Sequence, residues 1–161
     1  FLQSKSEQTG VQSSQQVTNR LSVTSATGQV GSDTITDVNL TVKTAPGSDE
    51  INIDNVTIQW TGPGGSETLV HGDQVASGNY GSTAVFNSTV IKDADDSNPV
   101  LNEPDDRIEI TIDLSQGGKG DLVELDEGSE ATLQVATMSG GTTDVRLSVP
   151  QSLSGESAVQ L

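Results

Sequence analysis

The stretch RIEITIDL (residues 107–114) has the clearest secondary-structure pattern in this chain of 161 residues. Its aliphatic residues take every second position, and Glu109, Thr111 and Asp113 stand between them. Successive side chains of a β-strand point to opposite faces of the sheet, so this alternation predicts a strand with one buried and one hydrated face. A strand of this kind is typical of antiparallel sheets.

Short segments with a similar alternation lie on both sides of this stretch and are separated by turns rich in Gly, Asp and Asn. They are LSVTSA (21–26), TITDVNLTVKT (34–44), INIDNVTIQW (51–60), ETLVHG (67–72), TAVFNSTVIKD (83–93), SEATLQVATM (129–138) and TTDVRLSVP (142–150). The last two are predicted to form a hairpin, and a change of phase near Asp54 and Asn55 predicts a β-bulge. The sequence therefore predicts a mostly β fold, an antiparallel β-sandwich of the Ig-like type.

The first 20 residues differ in composition from the rest of the chain. They contain no Pro and one Gly, and Gln and Ser dominate. We interpret residues 1–20 as the end of an N-terminal α-helix, with a frayed terminus as the alternative, and residues 21–161 as the β domain. Since aromatic residues make up 2% of the chain, the core of this domain must be mainly aliphatic.

The net charge of −16 is the strongest compositional signal. It argues against nucleic acid as a partner, because phosphate binding requires clustered Lys and Arg. Two interpretations remain, a cation-binding protein and a protein adapted to high salt. All acidic residues except Glu7 are spread from Asp33 to Glu156, which favours the second interpretation.

Nothing in the sequence indicates an enzyme. His71 is the single histidine, cysteine is absent, and no nucleophile-elbow or phosphate-loop motif occurs. We predict that His71 has a structural or surface role and that no cofactor is required. Trp60 ends a predicted strand, so it is expected to close the aliphatic core, although a Trp at the rim could also stack on a sugar.

The acidic loop at residues 93–106 is the first candidate metal site. Asp93, Asp95 and Asp96 offer oxygen ligands of the kind that Ca²⁺ or Mg²⁺ prefers, although the loop lacks the EF-hand pattern. The second candidate set is Asp121, Glu124, Asp126 and Glu127. Acidic clusters also arise by chance in a chain of this charge.

Three N-glycosylation sequons begin at Asn39, Asn55 and Asn87. Each Asn lies in a segment predicted to be a strand, next to apolar residues in the sequence. Period-two alternation then predicts that each Asn points outward, where it could carry a glycan.

The ends of the chain point to a known family. The segment FLQSKSEQTGVQSSQQVTNRL (1–21) leads into LSVTSATG (21–28), and the chain closes on PQSLSGESAVQL (150–161). In this layout, with an acidic, Thr-rich β domain between, the sequence resembles the archaeal flagellins (archaellins), and their halophilic branch in particular.

The resemblance implies a structural subunit of the archaellum filament, outside the cell, which serves swimming motility. It implies that copies of this chain or sister archaellins are the partners, that residues 21–161 form the outer domain, and that residues 1–20 end an assembly helix. Phe1, Leu2, Val11 and Val17 would then lie on the filament interface. Contact with a membrane is expected only through the hydrophobic part of that helix, before assembly.

A pilin-like adhesion or glycan-binding module is the alternative. It would share the acidic β domain and a pilin-type helix. In that case Trp60, His71 and Tyr80 would form the rim of the binding surface.

Overall fold

The computed structural model describes residues 19–75, 83–116 and 122–161, which contain twelve strands and two short 3₁₀ helices. The first six strands are β1 (Leu21–Gly31), β2 (Thr34–Thr44), β3 (Ile51–Asn52), β4 (Thr57–Gly62), β5 (Gly65–His71) and β6 (Ala84–Lys92). The others are β7 (Val100–Leu101), β8 (Arg107–Asp113), β9 (Leu125–Asp126), β10 (Glu130–Ala136), β11 (Thr142–Ser148) and β12 (Ala158–Gln160). The 3₁₀ helices are Ile53–Asn55 and Gly72–Gln74.

Ten of these strands form one sheet in the order β11-β10-β4-β5-β6-β8-β2-β1-β12, with β9 paired to β2. β3 and β7 form a separate two-stranded ribbon. All pairs are antiparallel except β5 with β6, which is parallel. A parallel pair needs a crossover connection of about a dozen residues, and residues 72–83 between the two strands provide that length.

The sheet curls so that its two ends approach each other. Thr143 of β11 donates a side-chain hydrogen bond to the carbonyl oxygen of Leu21 in β1. The hydroxyl of Thr137, just after β10, donates to the carbonyl oxygen of Asn19 at 2.7 Å. The inward faces of the strands therefore enclose one aliphatic core, in which Trp60 and Phe86 are the largest fully buried side chains.

The mostly β class and the alternation in β8 are confirmed, since Ile108, Ile110 and Ile112 are buried and the intervening residues are only partly buried. The finer prediction of an Ig-like sandwich is not confirmed, because a single curled sheet surrounds the core. The predicted antiparallel pairing holds for every strand pair of the described residues except β5 with β6, which are parallel. Local alternation does not distinguish the two directions of pairing. Residues 1–18, where the helix is predicted, lie outside the described residues.

The predicted hairpin is confirmed, with β10 and β11 paired from Glu130↔Ser148 to Ala136↔Thr142. The predicted bulge at Asp54 and Asn55 was wrong, since a 3₁₀ helix occupies this position. The side chain of Asn52 caps this helix by accepting a hydrogen bond from the backbone N–H of Asp54 at 2.9 Å. As a result the segment is divided, with β3 joining β7 and β4 joining the main sheet.

Candidate functional site

The acidic loop at residues 93–106 lies between β6 and β8, contains the short strand β7 and brings three carboxylates together. Oxygen atoms of Asp93, Asp95 and Asp106 all lie within 4.8 Å of one another. Asp96, the third predicted ligand, is exposed at a backbone φ of 58° and does not belong to this group. Asp106, which is 2% exposed, takes its place.

Hydrogen bonds from the backbone hold these carboxylates in position. Asp93 accepts from the N–H of Ser97 at 3.1 Å and from that of Asn98 at 2.8 Å. Asp106 Oδ2 accepts from the N–H of Asn102 at 3.0 Å and from that of Glu103 at 2.9 Å. These two carboxylates thus stabilise the closed conformation of the loop by accepting its backbone N–H groups.

Asp95 is held by a side chain instead. Its Oδ2 accepts a hydrogen bond from the Asn102 side-chain amide at 2.9 Å. This bond is the main reason that the pKa of Asp95 lies below its ordinary value. Asp95 is therefore ionised at neutral pH. Three oxygen-bearing groups so arranged are suited to a hard cation such as Ca²⁺.

The second predicted acidic set does not converge in the parts of the chain that the structure describes. Asp121 lies outside those parts. Glu124 accepts a hydrogen bond from the Thr34 hydroxyl at 2.6 Å, and Glu127 accepts one from the N–H of Leu153 at 3.3 Å. These residues therefore have separate roles in local structure.

The three sequons lie in different settings. Asn39 in β2 and Asn87 in β6 are both opposite Thr111 of β8, so the two Asn residues share one row and one face of the sheet. Asn87 is exposed and Asn39 is partly buried. Asn55 is also exposed, but the prediction that it lies on a strand was wrong, because it ends a 3₁₀ helix.

Two of the three residues of the alternative binding rim are buried. Trp60 is fully buried, which confirms that it belongs to the core, and His71 is 4% exposed. Neither ring can stack on a ligand from solvent without rearrangement of the sheet. Tyr80 lies outside the described residues.

The predicted filament-interface residues Phe1, Leu2, Val11 and Val17 all lie outside the described residues. Among the residues that are described, no helix combines the length and apolar character needed to cross a membrane.

The fold indicates the class of protein to which this chain is similar. It superposes on archaeal flagellin FlaB1 from Methanocaldococcus jannaschii with a TM-score of 0.71 and 18% identity, covering 88% of this chain and 95% of that one. It also superposes on the subunit in "The archaeal flagellum of Methanospirillum hungatei strain JF1", with a TM-score of 0.62 and 19% identity, covering 100% of this chain and 82% of that one. The chain thus has the β fold seen in archaeal flagellins.

The sequence then identifies the family. Residues 1–147 match the family described as archaeal-type flagellin. Flagellin A2 of Halobacterium salinarum is 40% identical over 161 residues, covering 100% of this chain and 79% of the relative. Flagellin A1 of Haloferax volcanii is 32% identical over 166 residues, covering 97% and 78%. This chain belongs to the archaeal-type flagellins.

Family membership confirms two predictions from the sequence. The resemblance to the halophilic branch is confirmed, since these relatives come from halophiles. The prediction that the protein is not an enzyme is also confirmed, because archaeal flagellins are structural proteins of a filament.

Proposed function

We propose that this protein is a structural subunit of the archaeal flagellum filament and serves swimming motility. Copies of itself or sister flagellins are its partners, and the assembled filament lies outside the cell. One observation supports this most strongly, the 40% identity to a flagellin over all 161 residues. The alternative of an adhesion or glycan-binding module is less favoured, because two of its three rim residues, Trp60 and His71, are buried.

The physical character of the domain suits this role. Heterologous contacts that do not close into a ring build an open helical filament, so each subunit needs a stable body that keeps its shape. Here a curled sheet around one core provides that body without any disulfide, since cysteine is absent. The net charge of −16 keeps its surface hydrated in concentrated salt.

Deleting the gene in cells that also lack sister flagellin genes tests this function. We expect electron microscopy to show cells without filaments, and motility assays to show no swimming. Restoring the gene alone is expected to restore filaments that contain this chain. Normal filaments and swimming in the deletion strain would rule out the proposed role.

We also propose that the acidic loop binds Ca²⁺ through Asp93, Asp95 and Asp106. The support is the convergence of their oxygen atoms within 4.8 Å and the backbone hydrogen bonds that orient Asp93 and Asp106. A bound divalent cation would also lower the repulsion among these three negative charges.

N-glycans on the exposed sequon residues Asn55 and Asn87, and on the partly buried Asn39, are a further proposal. We expect that Asn87→Gln lowers the intact mass of protein from its native cells by one glycan. Thr89→Ala keeps Asn87 but removes its sequon, and we expect the same loss. Asn55→Gln is the parallel test at the second exposed site. An unchanged mass in the Asn87 and Thr89 variants would exclude a glycan at Asn87.

A further inference from the structure

The end of β5 brings a histidine and two carboxylates together, away from the acidic loop. His71 Nδ1 lies 3.5 Å from Asp54 Oδ1 and 3.8 Å from Asp73 Oδ2, and the ligand atoms of the three residues all lie within 4.8 Å of one another. The side chain of His71 is 5% exposed and that of Asp73 is 84% exposed. One end of this group is therefore buried and the other is open to solvent.

The hydrogen bonds of His71 define the state of its ring. Nδ1 accepts from the backbone N–H of Asp73 at 3.2 Å, so the ring proton is on Nε2. Nε2 then donates to the hydroxyl of Ser88 in β6 at 2.8 Å. The Phe86 ring holds the imidazole from the side in an edge-to-face contact, with 5.3 Å between ring centroids. Nδ1 therefore carries a lone pair, and a carboxylate oxygen of Asp54 and one of Asp73 both lie within 3.8 Å of it.

Asp54 supplies the second observation. Its Oδ1 is buried and has no hydrogen-bond partner. A buried carboxylate oxygen without a partner is costly, and here it faces another acceptor, His71 Nδ1, at 3.5 Å. A positively charged group bound between Asp54 Oδ1 and His71 Nδ1 would stabilise both of these acceptor atoms.

We propose that Asp54 Oδ1, His71 Nδ1 and Asp73 Oδ2 bind a divalent transition-metal ion of the zinc class. Ligand atoms around a tetrahedral zinc ion lie about 3.3 Å apart, given metal–ligand distances of about 2.0–2.1 Å. The separations of 3.5 and 3.8 Å are close to this value. They are longer than the roughly 2.7–2.9 Å of a charge-assisted hydrogen bond, so a metal ion fits better than a proton on Nδ1.

The surroundings of His71 fit this assignment in two further respects. A histidine that binds a metal usually donates its other ring N–H to an acceptor, as Nε2 does to Ser88. An imidazole nitrogen also favours zinc, cobalt or nickel over Ca²⁺, which prefers oxygen ligands. The ion replaces the Asp73 N–H as the partner of His71 Nδ1, so their 3.2 Å hydrogen bond is lost. It also links β5 to both 3₁₀ helices.

Titration of the purified protein with Co²⁺ in concentrated KCl tests this site, because tetrahedral Co²⁺ absorbs visible light. We expect an absorption band that saturates at one equivalent and is removed by Zn²⁺ but not by excess Ca²⁺. Asp73→Asn changes an exposed side chain, so folding is retained, and we expect Co²⁺ affinity to fall at least about tenfold. Asp54→Asn is expected to have the same effect.

Asp144→Asn is the matched control, since it removes one exposed carboxylate on β11, three strands away from β5. Its Co²⁺ affinity is expected to equal that of the unchanged protein. The proposal is overturned if no band appears, or if Asp73→Asn and Asp54→Asn bind Co²⁺ as well as this control. It is also overturned if Asp106→Ala abolishes the band while the Asp54 and Asp73 variants keep it, because the ion would then lie in the acidic loop.

Discussion

Replacement of Trp60 by alanine is expected to lower the free energy of unfolding by about 3–5 kcal/mol. Trp60 is the largest fully buried side chain of a core that is otherwise mainly aliphatic. It lies in β4, between β10 and β5, so its neighbours belong to strands fixed on both sides. The sheet cannot collapse into the space left by the indole ring, and a cavity remains.

Urea unfolding in constant molar KCl measures this loss. Met138→Ala is the control, since Met138 is 83% exposed and its truncation should change stability by no more than about 0.5 kcal/mol. Trp60→Phe should cost less than Trp60→Ala, because it keeps an aromatic ring and removes the buried indole N–H, which has no hydrogen-bond partner. A loss below about 1 kcal/mol for Trp60→Ala would contradict a close-packed core at this position.

Asp106→Ala is expected to lower the free energy of unfolding by about 2–4 kcal/mol. The carboxylate is buried and accepts the backbone N–H groups of Asn102 and Glu103. Its removal leaves both donors without their partner in the closed loop. We also expect Ca²⁺ to raise the unfolding midpoint of the unchanged protein and not that of Asp106→Ala, because one of three proposed ligands is lost.

The neighbouring variant Asp105→Ala is the matched control for this prediction. The Asp105 side chain is 78% exposed and lies 3.5 Å from Lys92 Nζ, so an effect of at most about 1 kcal/mol is expected. Equal losses for the two variants would show that overall charge, and not the buried carboxylate, stabilises the loop. If Ca²⁺ leaves the midpoint of the unchanged protein where it was, the calcium proposal fails.

Much of the secondary structure could be predicted because it depends on local alternation. TITDVNLTVKT (34–44) coincides with β2, and the strand predicted at 83–93 contains β6. The segment at 51–60 was misjudged at its centre, because Asn52 caps a 3₁₀ helix there and the ladder is interrupted. A side chain that hydrogen-bonds to the backbone two residues further along the chain competes with strand pairing. Period-two spacing of apolar residues does not reveal such a bond.

The candidate sites were less predictable for a related reason. Local spacing located the acidic loop and two of its converging carboxylates, Asp93 and Asp95. It did not select Asp106, which approaches them only because the loop closes on the backbone of Asn102 and Glu103. Local spacing also did not show that Asn39 and Asn87 share a face. The two residues lie in one row only because β8 pairs with both β2 and β6, which places Thr111 between them.

By itself, the sequence determined a mostly β, acidic domain, and the resemblance of its terminal segments indicated an archaeal flagellin. Composition and net charge need no fold to be recognised, and period-two alternation depends only on neighbouring residues. Only the tertiary structure decided that one curled sheet encloses the core, that β5 and β6 run parallel, and that Asp54 and Asp73 converge on His71. These features depend on which distant strands become neighbours, and burial of the shared core decides that.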